Sequence, residues 1–460
     1  MRRLILLASV LFTGCTMGPD YTRPPVPEPE EYREAIPTGE SVADIAWWDM
    51  FGDPALLELI ETALENNRNL RISVARIAEA RAHFGIVRSD LYPRLDYSAD
   101  GSYDGTFGDD GDASGSGAAF LNASWQLDLW GRIRRANEAA LQELLATEET
   151  YRGLTITLVA ETANAYLVLR DLDSRLSISE QTLGLWQERL GVVQTRYDAG
   201  MVSEVDLNQA QIQVYEAEVT IQTFERLRAH MENAISVLLG SPPEAIERGL
   251  PLHEQVFPPE IPTGLPSALL ERRPDIIEAE RKLHAQTARI GVAEALKFPQ
   301  FNLTADLGAQ FDSKTTGIFG LGAQLFGPIY NAGENRRRVD VEVARAEQLL
   351  NSYEQTILTA YREVNDAIVS VRTYEAEFKA RSLQMLAAKN AADLSWVRYE
   401  GGMTSYLEVL DLQRSLFSSQ LKASETLQLH LTSVVKLYQS LGGGWVAQQD
   451  STSITVDPSQ

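Results

Sequence analysis

One cysteine, Cys15, occurs in 460 residues, so no disulfide can form within a chain. No run of about 20 apolar residues is present, and a transmembrane helix is not expected. A membrane-spanning form would have to use strands, which answer their backbone groups between neighbours. Basic residues are scarce: 41 Lys and Arg against 64 Asp and Glu give a net charge of −23. That balance argues against nucleic acid as a partner, because phosphate binding needs clustered Lys and Arg. The histidines (His83, His230, His253, His284 and His430) are scattered without metal-ligand spacing. No Gly-x-Ser-x-Gly and no P-loop occur, and Gly320-x-Gly322 lacks a third glycine. Asp109-Asp110-Gly111-Asp112 has a calcium-like composition but no closing Glu, and reads as a solvated loop. The chain is therefore not expected to be an enzyme, and it calls for no cofactor and no metal.

What the chain has instead is a copy of itself. Arg196-Tyr197-Asp198-Ala199-Gly200 interrupts one long helical run, and Arg398-Tyr399-Glu400-Gly401-Gly402 interrupts another. The offset is 202 at each landmark: 402 − 200, 399 − 197, 333 − 131 and 442 − 240. A period so long marks a duplicated half-molecule, not a solenoid. The proline-free run after Gly131 is a helix of roughly 65 residues, about 100 Å at 1.5 Å per residue. Its seam, Leu154, Leu158, Ala165, Leu169, Leu172, Leu176 and Leu183, has coiled-coil spacing. The copy repeats it through Val343, Ala346, Leu350, Ile357, Tyr361, Val364, Ile368 and Val371.

Before each helical run the period falls from helical to two. Leu95, Tyr97, Ala99, Gly101 and Tyr103 alternate with Asp96, Ser98, Asp100, Ser102 and Asp104. After the loop, Ala119 to Leu129 alternates in the same way, and in the copy so do Phe301 to Phe311 and Phe319 to Leu325. These are two amphipathic hairpins. Asp96, Asp100, Asp104, Asp128, Asp306 and Asp312 are expected on their polar face. Upstream, Leu56, Leu59, Ile60, Ala63, Leu64, Leu70, Val74, Ile77 and Ala78 continue one helical period to Leu91.

The N-terminus is an export signal: Arg2-Arg3, an apolar stretch from Leu4 to Phe12, then Thr13-Gly14-Cys15. Leu11 to Cys15 looks like a bacterial lipobox with Phe12 in place of an aliphatic residue. Cys15 is the expected lipidation site, an anchor to membrane lipid and not a span; an ordinary signal with a chance cysteine is the alternative. The domain plan is a signal at 1–14, an extended Pro-rich arm at 15–46, and a first half at 47–240 with hairpin 94–129 and helical hairpin 131–240. A connection at 241–266 leads to a second half at 267–442, with hairpin 300–327 and helical hairpin 331–442, and to a polar tail at 443–460.

Four strands cannot close a barrel, and an open apolar sheet aggregates in water. Three chains giving four strands each make one barrel of about twelve. The fold class is thus mainly α with a membrane β-barrel part, the helices forming a tunnel. A coiled-coil adhesive lipoprotein is the competing reading, and it has no use for a continuous apolar sheet face.

The chain resembles the TolC-type outer-membrane factors, in particular their OprM-like lipoprotein branch, over nearly all of its mature length. The resemblance rests on Trp47-Trp48 with Phe51-x-Asp53-Pro54, on Leu269-Leu270-x-Arg272-Arg273-Pro274-Asp275-Ile276, and on Tyr197-x-x-Gly200 and Tyr399-x-x-Gly402. Leu410-Asp411-x-Gln413-Arg414 and Leu441-Gly442-Gly443-Gly444-Trp445 complete it. It implies the outer-membrane channel of a tripartite efflux pump: a homotrimer meeting a periplasmic adaptor (membrane fusion) protein and an inner-membrane RND-type pump. It implies adaptor contacts at Gly200, Met201, Val202 and Ser203, and at Gly402, Met403, Thr404 and Ser405; the alternative is that these are turn residues only. It implies a periplasmic gate at Asp206, Glu408, Asp411 and Arg414, with Glu408 and Asp411 of three chains ringing the pore; a solvated helix face is the alternative. Some members carry an Arg where Thr404 stands, so the tip network here must differ.

Overall fold

A computed structural model describes residues 16–26, 32–33, 51–107, 113–255, 269–312 and 314–443. Cys15, Trp47-Trp48, Asp109-Asp110-Gly111-Asp112, residues 256–266 of the connection and the tail from Gly444 lie outside the described residues. In order come α1 (Pro54–Asn66), α2 (Arg68–Ser89), β1 (Arg94–Gly105), β2 (Ala113–Leu127), α3 (Arg132–Asp198) and α4 (Glu204–Leu238). Then follow the four-residue α5 (Leu269–Arg272), α6 (Pro274–Ala295), β3 (Gln300–Phe311), β4 (Thr315–Phe326), α7 (Glu334–Glu400) and α8 (Tyr406–Ser440). The fold is mainly helical with one antiparallel sheet of four strands, ordered β1-β2-β3-β4. None of the described helices is long and apolar enough to cross a membrane.

The duplication is visible in the element bounds. Helices α3 and α7 have 67 residues each, and α4 and α8 have 35 each. Their starts differ by 202 (334 − 132 and 406 − 204). Upstream of the hairpin turns the offset is 206, not 202: 274 − 68 for α6 and α2, 300 − 94 for β3 and β1. The offset changes between the strands, because residues 106–112 join β1 to β2 while only 312–314 join β3 to β4. The copies thus differ by four residues at one hairpin tip.

The chain divides into two compact units that cut across the halves. The first comprises Met1–Val26, Ser73–Thr150 and Asp275–Thr356, and holds the sheet. The strand register preserves parity throughout, so each face is uniform. Tyr97, Leu121, Leu307 and Phe319 form one cross-strand row, and Asp96, Asn122, Asp306 and Gly320 the row beside it on the other face. The apolar face is bare in the single chain: Tyr97 and Leu321 are each 84% exposed. On the polar face Asn122 Nδ2 donates to Ser98 Oγ at 3.1 Å, and the Ser102 and Ser116 hydroxyls meet at 3.0 Å. Asp128 and Asp312 do not belong to that face. Asp128 follows the end of β2 and accepts from the Ile133 and Arg134 amides at 3.1 and 2.9 Å, capping α3. Asp312 sits in the β3–β4 turn and accepts from the Lys314 amide at 2.9 Å. Short polar side chains are drawn to such turn and cap positions, where local amides lack partners. Residues 16–26 form no helix or strand; they are held by Arg135 pairing with Asp20, by Arg23 pairing with Glu280, and by Tyr21 stacked on His284 at 4.3 Å.

The second unit comprises Pro27–Ile72, Tyr151–Pro274 and Ile357–Gln460. Its core joins Leu56, Ile60 and Ala63 of α1 to Leu158, Ala163, Leu167 and Leu169 of α3, Ile235 of α4 and Leu431, Val434 and Val435 of α8. Burying each of the leucines and isoleucines stabilises by about 2 kcal/mol, and the alanines let backbones approach. The expected single helix up to Leu91 is two helices. Buried Asn67 breaks it: its Nδ2 donates to the Leu238 carbonyl at 2.9 Å and its Oδ1 accepts from the Leu70 amide at 3.1 Å. Of the expected upstream seam, Leu70 in the first turn of α2 still joins the core of α1, but Val74 and Ala78 are exposed in this chain and Ile77 is half-buried, so α2 leaves that core after Leu70.

Phe51-x-Asp53-Pro54 has a physical explanation. Asp53 is fully buried and caps α1, accepting from the Ala55 amide at 3.0 Å, with Pro54 opening the helix. Its other oxygen accepts from the Tyr166 hydroxyl (2.8 Å), the Leu250 amide (2.9 Å) and Gln255 Nε2 (2.7 Å). Burial pushes the Tyr166 hydroxyl well above the usual tyrosine range, so it stays a donor. A Cβ on Gly249 would lie 1.9 Å from the Asp53 carboxylate. Asp53→Ala takes the acceptor from four donors at once and is expected to destabilise by roughly 3–5 kcal/mol. Asp53→Asn, which keeps the volume, should cost less. Gly249→Ala should approach the Asp53→Ala loss. Thermal unfolding followed by circular dichroism checks the ranking; equal stability of the three variants would contradict it.

Candidate functional site

Two helix-to-helix turns, α3–α4 and α7–α8, lie in the second unit and share one construction. Gly200 has φ +67° and Gly402 φ +69°, a left-handed conformation that side chains resist. A Cβ at either glycine would meet nothing within 4 Å, so backbone conformation alone, not space, demands glycine there. The Met201 amide bonds to the Arg196 carbonyl and the Met403 amide to the Arg398 carbonyl, both at 2.8 Å. The Gly200 and Gly402 amides bond to the Tyr197 and Tyr399 carbonyls at 2.8 and 3.0 Å. These paired bonds are the Schellman arrangement, which satisfies the last carbonyls of a helix. Ser203 and Ser405 then open α4 and α8 with the same φ −81° and ψ 158°.

Of the eight expected contact residues, Gly200, Met201, Ser203, Gly402, Met403 and Ser405 are exposed. The two methionines are 73% and 67% exposed. The other two face inward in part: Val202 packs on the cluster under the turns, and the Thr404 hydroxyl donates to Glu408.

The four expected gate residues are in four different situations. Asp206 is engaged within its own turn, where its carboxylate accepts from the Ser203 amide (3.1 Å) and hydroxyl (2.8 Å), while its amide bonds back to Ser203 Oγ. This is a capping box. Glu408 is held by Arg398 Nη1 at 3.1 Å and by Thr404. Asp411 is exposed, with no hydrogen bond or ion pair among the described residues. Arg414 reaches Glu216 of α4 at 3.4 Å, a half-exposed pair worth under about 1 kcal/mol. Thus Glu408 and Asp411 share a helix face, but among the described residues only Glu408 of the two has a cationic partner.

Beneath the turns lies a cluster that sequence reasoning missed. Val193, Leu207, Ala210, Tyr399, Tyr406, Val409 and Leu410 are buried together, with Trp396 against them. Two arginines of α3 stack on it. Arg189, 7% exposed, lies 4.6 Å from the Trp396 ring centre, and Arg196 lies 4.7 Å from that of Tyr399. Arg196 also donates to the Tyr399 and Glu400 carbonyls at 3.2 and 3.1 Å, answering the C-terminus of α7. Burial lowers the Arg189 pKa from its ordinary value. It raises Tyr406 to about 12, so this hydroxyl stays neutral at physiological pH. Arg189 and Arg196 are seven residues apart and share a helix face, which is the one signal the sequence carried.

Comparison with known proteins agrees with this architecture. The family described as outer membrane efflux protein matches residues 59–241 and 265–443, the two halves of the duplication. The solvent efflux pump outer membrane protein SrpC of Pseudomonas putida is 35% identical over 476 residues, covering 98% of this chain and 99% of the relative. The cation efflux system protein CusC of Escherichia coli (strain K12) is 31% identical over 447 residues, covering 95% and 98%. The open state of the Neisseria gonorrhoeae MtrE outer membrane channel superposes with a TM-score of 0.87 at 31% identity, covering 94% of this chain and 98% of that one. The chain belongs to the outer membrane efflux protein family, and it is an outer-membrane channel of the efflux type.

Proposed function

We propose that three copies of the chain close one twelve-stranded barrel and serve as the passive exit duct of a tripartite pump. The observation that carries this reading is the four-stranded sheet: one face apolar and bare, and both edges, β1 and β4, unpaired among the described residues. In hydrocarbon every backbone N–H and C=O needs a partner, so an open sheet cannot stand alone there. Edge β4 of one copy against β1 of the next removes both edges by symmetry. The polar face, with Asp96, Asp100, Asp104 and Asp306, then lines an acidic lumen.

On this reading the exposed turns at Gly200–Ser203 and Gly402–Ser405 meet a periplasmic adaptor, itself coupled to an inner-membrane RND-type pump. Glu408 and Asp411 of three copies ring the narrowest point, and Asp206 and Arg414 hold it. Cys15 carries the lipid anchor, and no cofactor takes part. Printed names among the relatives include both a solvent pump and a cation system. Such a spread suits a duct for small molecules, drugs and toxic compounds that leaves selection to the pump.

Purified protein in planar bilayers should form cation-preferring pores, and cysteines placed on β1 and β4 should cross-link into a species of three chains. A protein that never conducts and never cross-links beyond one chain would sink the proposal. Asp411→Asn removes a charge with no partner among the described residues, so unfolding should shift by less than about 0.5 kcal/mol while cation preference falls; an unchanged reversal potential counts against the gate. Cys15→Ser should lose acyl label in cells fed labelled fatty acid, and retained label refutes the anchor.

A further inference from the structure

The two turns differ in one respect that the duplication makes easy to see. Arg196, Val202, Ser203 and Asp206 of the first correspond, at the constant offset of 202, to Arg398, Thr404, Ser405 and Glu408 of the second. Both turns encode a capping box: Ser203-x-x-Asp206 and Ser405-x-x-Glu408. Only the first forms it. There Arg196 is occupied by the Tyr399 and Glu400 carbonyls, Val202 has no hydroxyl, and Asp206 is left to cap Ser203. In the second, Arg398 is in the last turn of α7 and takes the Glu408 carboxylate at 3.1 Å, and the Thr404 hydroxyl takes the other oxygen. Ser405 accordingly makes no side-chain cap, although its backbone angles equal those of Ser203.

We infer that Arg398 and Thr404 are positioning residues that hold Glu408 out of its own capping box, so that the second turn has two alternative states where the first has one. The inference rests on the reading of these turns as the gate. In the clamped state Arg398 neutralises Glu408 and ties the end of α7 to the start of α8. In the capped state Glu408 and Ser405 close on each other, and Arg398 is released. The two states exclude each other because they compete for one carboxylate. Both partners are half-exposed, at 53% and 40% of their side-chain area, so an anionic group reaching Arg398 from solvent or a docked partner displaces Glu408 without unpacking the core. Glutamate suits this role better than aspartate, since its extra methylene reaches either set of donors.

Hydrogen exchange of the Ser405 and Glu408 amides in the full-length channel reads the state directly, since the box protects both. Arg398→Met should slow their exchange about fivefold, the effect of one N-cap, while Arg398→Lys should stay near wild type. Ser405→Ala should change nothing in the wild-type background and abolish the slowing in the Arg398→Met background. Ser203→Ala, the control in the first turn, should speed exchange at Ser203 and Asp206. Exchange that Arg398→Met leaves unaltered, or that Ser405→Ala accelerates equally in both backgrounds, overturns the inference. Bilayer conductance of the same preparations separates the two readings. Pores with unaltered exchange leave the channel standing without the switch. A wild type that never conducts removes the gate on which the switch rests.

Discussion

A strand carries an unanswered N–H and C=O at every second residue until a neighbour pairs with it, and in hydrocarbon no water replaces that neighbour. Among the described residues the sheet ends on β1 and β4 with both rows of groups unanswered. Much of the rest follows from that debt. The apolar face has no counterpart among the described residues, so Leu95, Tyr97, Phe319 and Leu321 stay bare. The duplication supplies two hairpins in one register, and uniform parity across all three strand pairs keeps every aspartate of the strands on one side. A single residue of slip would place Asp96 and Asp306 among the apolar rows.

The copies have diverged where their surroundings differ. The hairpin loops differ by four residues, a change that costs little because loop closure depends weakly on length. The helical turns, by contrast, retain the same backbone to within a few degrees and differ in what their carboxylates hold. Divergence in side-chain partners over a constant backbone is what a symmetric scaffold permits. The backbone is set by Gly200 and Gly402 and by the serines, and the remaining positions are free to specialise.

Much of this was legible in the sequence. The change of period at residues 94 and 300, the offset of 202 and the two Tyr-x-x-Gly turns predict the hairpins and the helices that follow them. What escaped has a common cause. Asn67, Asp128 and Asp312 are polar residues whose role depends on which amides lack partners nearby, and periodicity does not report that. Arg189 and Arg196 find Trp396 and Tyr399 about two hundred residues away, a pairing set by helix packing and invisible to local pattern. The gate candidates were singled out as a group, but not their separate partners: Asp206 in its capping box, Glu408 under Arg398, Asp411 with none among the described residues.

Asp53 and Gly249 offer a last consequence. The carboxylate occupies the space a Cβ at 249 would need, and the Leu250 amide beside it depends on that carboxylate. Loss of the carboxylate, or a side chain at 249 while the carboxylate stays, is costly. On this geometry a change at one position sets the cost of a change at the other. A lineage that lost the aspartate would have first to find another acceptor for the connecting segment, and only then would a side chain at 249 become neutral.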